Sequence, residues 1–259
     1  MRMPFTRLAA TLLGAGSLAL LACGSSDKLS AACKDQIALN QGVTQLFMRT
    51  PALQTGRPVP KAAVPQLRAD YDRFVATPLA KFEKDAPDKI SADVRSAAAT
   101  ARGLREGNVS GLMAPQFMAT TARIDGYLFD KCSGEKSDVK GVDYGFQGLK
   151  ASYPAGIVRF KLDNVGKEEH EMALLRRKPG VTESFAQLFK LPMAQAQSKV
   201  DFVGSADGVG PGKASYAALN LTPGQYVAVC FIPQGSTPGK QGKGPPHFAL
   251  GMQKPFTVK

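Results

Sequence analysis

The chain has no tryptophan and only two histidines in 259 residues, so any chemistry that needs an imidazole must pass through His170 or His247. It also lacks an arginine-rich run and any interleaving of basic with aromatic residues. Those absences exclude the stacking groove of a single-strand nucleic-acid binder, despite a formal charge of +12. A phosphate loop is missing as well. The glycine-rich GSADGVGPG at 204–212 has no lysine at the required offset, Pro211 removes an amide donor, and a plain loop is expected there. Cysteine is scarce, at four residues: Cys23, Cys33, Cys132 and Cys230. Lys and Arg outnumber Asp and Glu by 33 to 21, which points to anionic partners such as lipid head groups or an acidic protein face.

What is present begins with a targeting segment. Arg2 and Arg7 lead into an apolar stretch over 8–22 that is short for a membrane span. It ends in Leu20-Leu21-Ala22-Cys23-Gly24, which resembles the lipobox of bacterial lipoproteins. The resemblance implies a signal peptide over 1–22, lipidation of the Cys23 sulfur and a membrane anchor facing the periplasm or cell exterior. An ordinary signal peptide with an incidental cysteine is the competing reading. Residues 23–29 are expected to form a polar tether.

From 30 to 132 the apolar pattern is helical. Leu29, Cys33 and Ile37 start one stripe, continued by Val43, Leu46 and Phe47. A second runs through Val64, Leu67, Tyr71, Phe74, Val75, Leu79 and Phe82. Ile90, Val94, Ala98 and Leu104 make a third, and Phe117, Thr121, Ile124 and Leu128 a fourth. Proline and glycine break them at 51–60, at Pro87 and at 107–115, giving an antiparallel four-helix bundle. In that topology the start of the first helix and the end of the fourth share one end of the bundle. Cys33 and Cys132, both on apolar sides, are therefore expected to form a disulfide in an oxidising compartment. The bundle carries no catalytic or metal constellation, and a spacer or interaction role is expected of it.

Residues 133–142, SGEKSDVKGV, are expected as a polar linker, after which the period changes to two. Val158, Phe160 and Leu162 alternate with Arg159, Lys161 and Asp163, so this strand should have one buried and one wet face. Asn164-Val165-Gly166 turns the chain into a strand on which His170, Met172 and Leu174 share a side. A short helical insertion is expected at 181–191 and further strands at 201–203, 215–221, 226–231 and 255–258. Short strands at this spacing predict an all-β sandwich over 143–259.

Cys230, His247 and Met252 follow in order near the C-terminus, with His170 on an earlier strand, and four residues separate His247 from Met252. The TPGQY entry to the cysteine strand, the HFALGM segment and the closing KPFTV complete a pattern that resembles the cupredoxin family, the plastocyanin-like blue copper proteins. The resemblance implies a Greek-key sandwich that binds one copper ion for electron transfer or copper handling. His170, Cys230 and His247 would be the strong ligands and Met252 the weak axial one, an array that accommodates both Cu(I) and Cu(II). No enzymatic activity is implied. The implied partners are the membrane, through the anchor, and an acidic redox protein.

One feature departs from the family. Its members join the cysteine to the second histidine by a handful of residues, whereas sixteen intervene here, 231–246. Either the insertion loops out and returns through Pro245-Pro246, or the copper site is lost. The alternatives to copper are a metal-free binding module on the cell envelope and an enzyme with Cys230 as nucleophile and a histidine as base. The second lacks the cationic setting or helix N-terminus that activates a thiol.

Overall fold

The computed structural model describes residues 20–54 and 58–259. Helix α1 spans Leu20–Arg49 and is followed by the single turn α2, Pro51–Gln54. Then come α3, Val64–Phe74, α4, Ala76–Asp85, α5, Asp88–Arg102, and α6, Pro115–Lys131. Residues 23–29, expected as a tether, are helical within α1. Nearly all of the expected signal peptide, and the Cys23 side chain with its expected lipid, lie outside the described residues. No helix among the described residues is long and apolar enough to cross a membrane.

The second apolar stripe folds as two helices because Pro78 has no amide to return to the Phe74 carbonyl. That carbonyl faces α1 instead, at Gly42, where an added Cβ would sit 2.0 Å from the oxygen. Glycine at this position is what lets α1 approach the break. The bundle core forms two clusters. One gathers Ala32, Phe82, Ile90, Val94, Ile124 and Leu128, and the other Leu46, Leu67, Tyr71, Val75, Leu79 and Leu104. At the first cluster's end Cys33 and Cys132 are disulfide-bonded, closing 99 residues of sequence.

The C-terminal half is a sandwich of two sheets. Strands β1, Glu135–Val142, β2, Gly145–Gln147, β4, Gly156–Asn164, and β7, Ala214–Leu221, form one, in the order β2-β1-β4-β7. The other contains β3, Ser152–Tyr153, β5, His170–Arg177, β6, Val200–Val209, β8, Gly224–Val229, and β9, Gln253–Val258. Its order is β3-β9-β8-β5-β6. Between the sheets lie Val139, Val158, Phe160, Leu162, Met172, Leu174, Tyr226 and Phe256, among others. The Tyr226 hydroxyl donates to the Thr222 carbonyl at 2.8 Å and so fastens the turn that feeds β8.

Three expectations fail here, each for a physical reason. The linker at 133–142 is largely β1, running parallel to β4. Its inward residues include Ser137 and Gly141, which hide the alternation, and the Ser137 hydroxyl is satisfied by the Tyr153 hydroxyl at 2.6 Å. The loop expected at 204–212 is mostly strand β6, paired with β5. There an added Cβ at Gly204 would lie 2.6 Å from Leu219, so glycine serves close packing between strands. The wet face of β4 is dry at Arg159, 2% exposed. Its guanidinium donates to Gln36 of α1 at 2.7 Å and to the Ser133 carbonyl at 3.1 Å.

The bundle covers that face. Phe129 of α6 packs on Tyr216 of β7 with ring centroids 5.6 Å apart, and the Asn40 amide donates to the Ala218 carbonyl at 3.3 Å. On the opposite side of the sandwich, α7, Phe185–Leu188, falls within the expected insertion. It starts from a capping box of Ser184 with Gln187 and buries Phe185 and Leu188 on Ala173, Leu175, Val227 and Val229. Helix α8, Met193–Lys199, has no apolar stripe to mark it in the sequence. With cover on this side too, β5 is buried on both faces from Met172 to Leu175, which is why those four positions read as a continuous apolar run.

Replacing both Cys33 and Cys132 by serine is expected to lower stability by about 2–5 kcal/mol, because the cross-link restrains so long a stretch of the unfolded chain. Denaturant unfolding followed by far-ultraviolet circular dichroism measures it, and an unchanged midpoint would contradict the assignment.

Candidate metal centre

His170 opens β5 and is carried there by a loop built around Asn164. The Asn164 amide donates to the Glu168 and Val209 carbonyls at 2.8 and 2.6 Å, and its oxygen accepts from the Gly166 amide at 2.9 Å. Cys230 follows the last residue of β8. His247 starts a 3-10 turn, His247–Leu250, which Gly251 ends at φ 117°. Met252 comes next, immediately before β9.

The sixteen-residue insertion loops out and is closed at its base. The His247 amide donates to the Ile232 carbonyl at 2.9 Å, Phe248 to Cys230 at 2.9 Å, Cys230 to Met252 at 3.2 Å, and Met252 to His247 at 3.0 Å. Pro233 and Pro246 form an antiparallel bridge beyond this clasp. Further out, Thr237 and Lys240 exchange hydrogen bonds across a tight turn, with Gly239 at φ 79°. The Glu169 amide donates to the Ser236 carbonyl at 2.9 Å and pins the excursion to the lead-in of β5.

The result is one cluster. A ligating atom from each of His170, Cys230 and His247 lies within 4.8 Å of the others, and all three residues are 0% exposed. His170 Nδ1 and His247 Nδ1 are 3.2 Å apart, and Cys230 Sγ is 3.4 Å from His247 Nδ1. Met252 is equally buried, in the apolar core that holds Cys230, and its backbone is tied to both Cys230 and His247. Phe248, on the second sheet's outer side, packs against Phe189 and Phe231.

Sequence reasoning missed the residues behind the histidines. His170 Nε2 meets Asp143 Oδ1 at 2.7 Å and His247 Nε2 meets Glu168 Oε2 at 2.9 Å. Burial works against the charge on Asp143, but the Lys167 amide and His170 hydrogen bonds outweigh it and hold the carboxyl below its usual range. Glu168 behaves likewise: burial is outweighed by the Gly235 amide, His247 and the Tyr144 hydroxyl. Burial pushes His170 down, toward the neutral imidazole. An ionised carboxylate only accepts, so each Nε2 is the donor and each ring turns its Nδ1 inward. Two inward Nδ1 atoms 3.2 Å apart call for a proton or a cation between them, and thiolate with imidazole is a donor set that suits copper. The residues present fit the metal that the sequence resemblance implied. Glu168 stands only two residues before His170, a signal that was available; Asp143 gave none, because it adjoins a segment with the polarity of a linker.

No protein-family model matches the chain, and no curated protein matches it. Solved structures do, over the C-terminal half. They include a dithionite-reduced auracyanin from the photosynthetic bacterium Roseiflexus castenholzii, at 16% identity and TM-score 0.33 over 49% of this chain and 98% of that one. Rusticyanin from Thiobacillus ferrooxidans is similar at 17% identity and TM-score 0.31, over 53% and 93%. Auracyanin A from Chloroflexus aurantiacus, a blue copper protein, is similar at 16% identity and TM-score 0.31, over 48% and 98%.

Without metal the Cys230 thiol is poor at nucleophilic attack, since burial pushes its pKa up to about 12. Alkylation of the native, metal-free chain at pH 8 is expected to run at least about 10³-fold slower than in denaturant, through the lost thiolate and the lost access together. Mass spectrometry of timed iodoacetamide reactions reads this out. Equal rates would contradict the burial of the site.

Proposed function

We propose that the chain is a cupredoxin-like lipoprotein of the bacterial cell envelope that binds one copper ion for electron transfer or copper handling. His170, Cys230 and His247 are the strong ligands in this reading and Met252 the weak axial one. The observation that carries it is the meeting of two inward Nδ1 atoms and one thiol sulfur in a space closed to water. Copper, when bound, supplies a one-electron couple between Cu(I) and Cu(II).

The chain's own residues supply rigidity and exclusion. The backbone clasp joining 230–232 to 247–252 fixes the thiol and the second imidazole relative to each other. His170 reaches them from the start of β5, held by the Asn164 loop. Burial of all three keeps water from competing for the site and lowers the local dielectric. On the basic surface, a lipid-modified Cys23 would hold the protein at an anionic membrane, and an acidic redox protein would be attracted to it. The helical bundle serves as a spacer or interaction unit in this scheme, and no enzymatic turnover is assigned to the chain.

Titration of the purified chain with Cu(II) is expected to produce an intense visible thiolate-to-copper band that Cys230→Ser abolishes. Because loading must displace the Cys230 proton, apparent affinity should rise with pH, by about tenfold per unit for one proton released. No band in the parent protein would remove the copper reading and leave the metal-free binding module. For the anchor, metabolic labelling with a radioactive fatty acid should mark the parent chain and fail to mark Cys23→Ser. Label persisting in the variant would refute lipidation there.

A further inference from the structure

Both histidines of the cluster end on carboxylates, and each carboxylate is itself held in place. Glu168 accepts from the Gly235 amide at 2.6 Å and from the Tyr144 hydroxyl at 2.9 Å, besides meeting His247 at 2.9 Å. Gly235 belongs to the sixteen-residue insertion, and Gln234 beside it donates to the Tyr144 hydroxyl at 3.0 Å. Tyr144 also lies over His247, with ring centroids 4.8 Å apart. The insertion therefore supplies the amide that aims Glu168 at its imidazole.

Asp143 accepts from the Lys167 amide at 3.0 and 3.2 Å through its two oxygens. Its contact with His170 passes close to Gly166. A Cβ on residue 166 would fall 2.4 Å from Asp143 Oδ1 and 2.5 Å from His170 Nε2. The pair exists because that position carries no side chain.

We propose that Asp143 and Glu168 are positioning residues that bias the cluster toward a divalent ion, by fixing both imidazoles with Nδ1 inward and surrounding the cation with negative groups. The inference rests on the copper reading above and adds to it a preference between oxidation states. Two physical effects act in the same direction. A hydrogen bond from Nε2–H to a carboxylate raises the basicity of the inward nitrogen and locks the tautomer. The two carboxylates join the Cys230 thiolate around one buried centre, and their attraction for a doubly charged ion exceeds that for a singly charged one in a medium of low dielectric. The site should hold Cu(II), and redox-silent Zn(II), more tightly relative to Cu(I) than the same ligands without these carboxylates.

The test uses the full chain, with Asp143→Asn and Glu168→Gln, which keep shape and an acceptor but remove the charge. Gly166→Ala reaches Asp143 from another loop without changing charge. Cu(II) and Cu(I) affinities are measured by competition with chelators of each ion, and the reduction potential by voltammetry. Cu(II) affinity should fall about 10–100-fold in each variant and Cu(I) affinity much less. Each tenfold of that difference raises the potential by about 59 mV.

Equal losses for the two ions, or an unmoved potential, would overturn the proposal, because a purely structural role weakens both states alike. Nitrogen-15 spectra of the metal-free parent should show both rings protonated at Nε2, and protons on both Nδ1 atoms would overturn it independently. Failure of the copper reading itself is recognised separately, by absence of the thiolate band in the parent. The metal-free spectra still decide the positioning role in that case. Melting curves of the metal-free variants identify any that fail to fold, and then the variant acting through the other loop decides between the two outcomes.

Discussion

The backbone around Cys230 and His247 closes on itself through hydrogen bonds between 230–232 and 247–252, and every other property of the cluster depends on that closure. A sixteen-residue excursion left free would cost loop entropy and let the second imidazole wander. Paired at its base, it leaves the ligand-bearing segments as near one another as a short connection would. The insertion becomes structure added outside the site. It then contributes in its own right, since Gly235 and Gln234 return to Glu168 and Tyr144.

Burial follows from the same arrangement. His247 is covered by Tyr144, and its outer nitrogen is taken by Glu168, so neither imidazole is open to solvent. A fully buried pair of imidazoles and a thiol needs its polar atoms satisfied or it destabilises the fold. The carboxylates meet that demand on the outer side. On the inner side Cys230, with its raised pKa, keeps its proton and can donate to His247 Nδ1. His170 Nδ1 meets only the nitrogen of the other ring there.

The helical half bears on the site only through the scaffold. It covers β4 and β7, and its polar link of Arg159 with Gln36, continued from Gln36 to Asp125 at 2.9 Å, ties the bundle to the sheet that backs the core. Arg159 was legible as one of a set of alternating polar residues. That it would be buried was not, because alternation reports only that one face is apolar and cannot say what covers the other. β1 was missed for a related reason: with Ser137 and Gly141 inward, the apolar signal falls to Val139 alone. A strand whose inward hydroxyl finds a partner across the core leaves almost no trace in hydropathy.

The sequence by itself determined the helical-then-β order, the pairing of Cys33 with Cys132 through the bundle's up-down topology, and the identity and order of the residues in the cluster. Periodicity and residue type carry that information locally. Only the tertiary structure decided whether His247 returns to Cys230 across its insertion, and which groups stand behind the two imidazoles. Those outcomes depend on hydrogen bonds between segments far apart in the chain. Asp143 reaches His170 over 27 residues and Glu168 reaches His247 over 79, and no local pattern records which carboxylate meets which imidazole once the chain has folded.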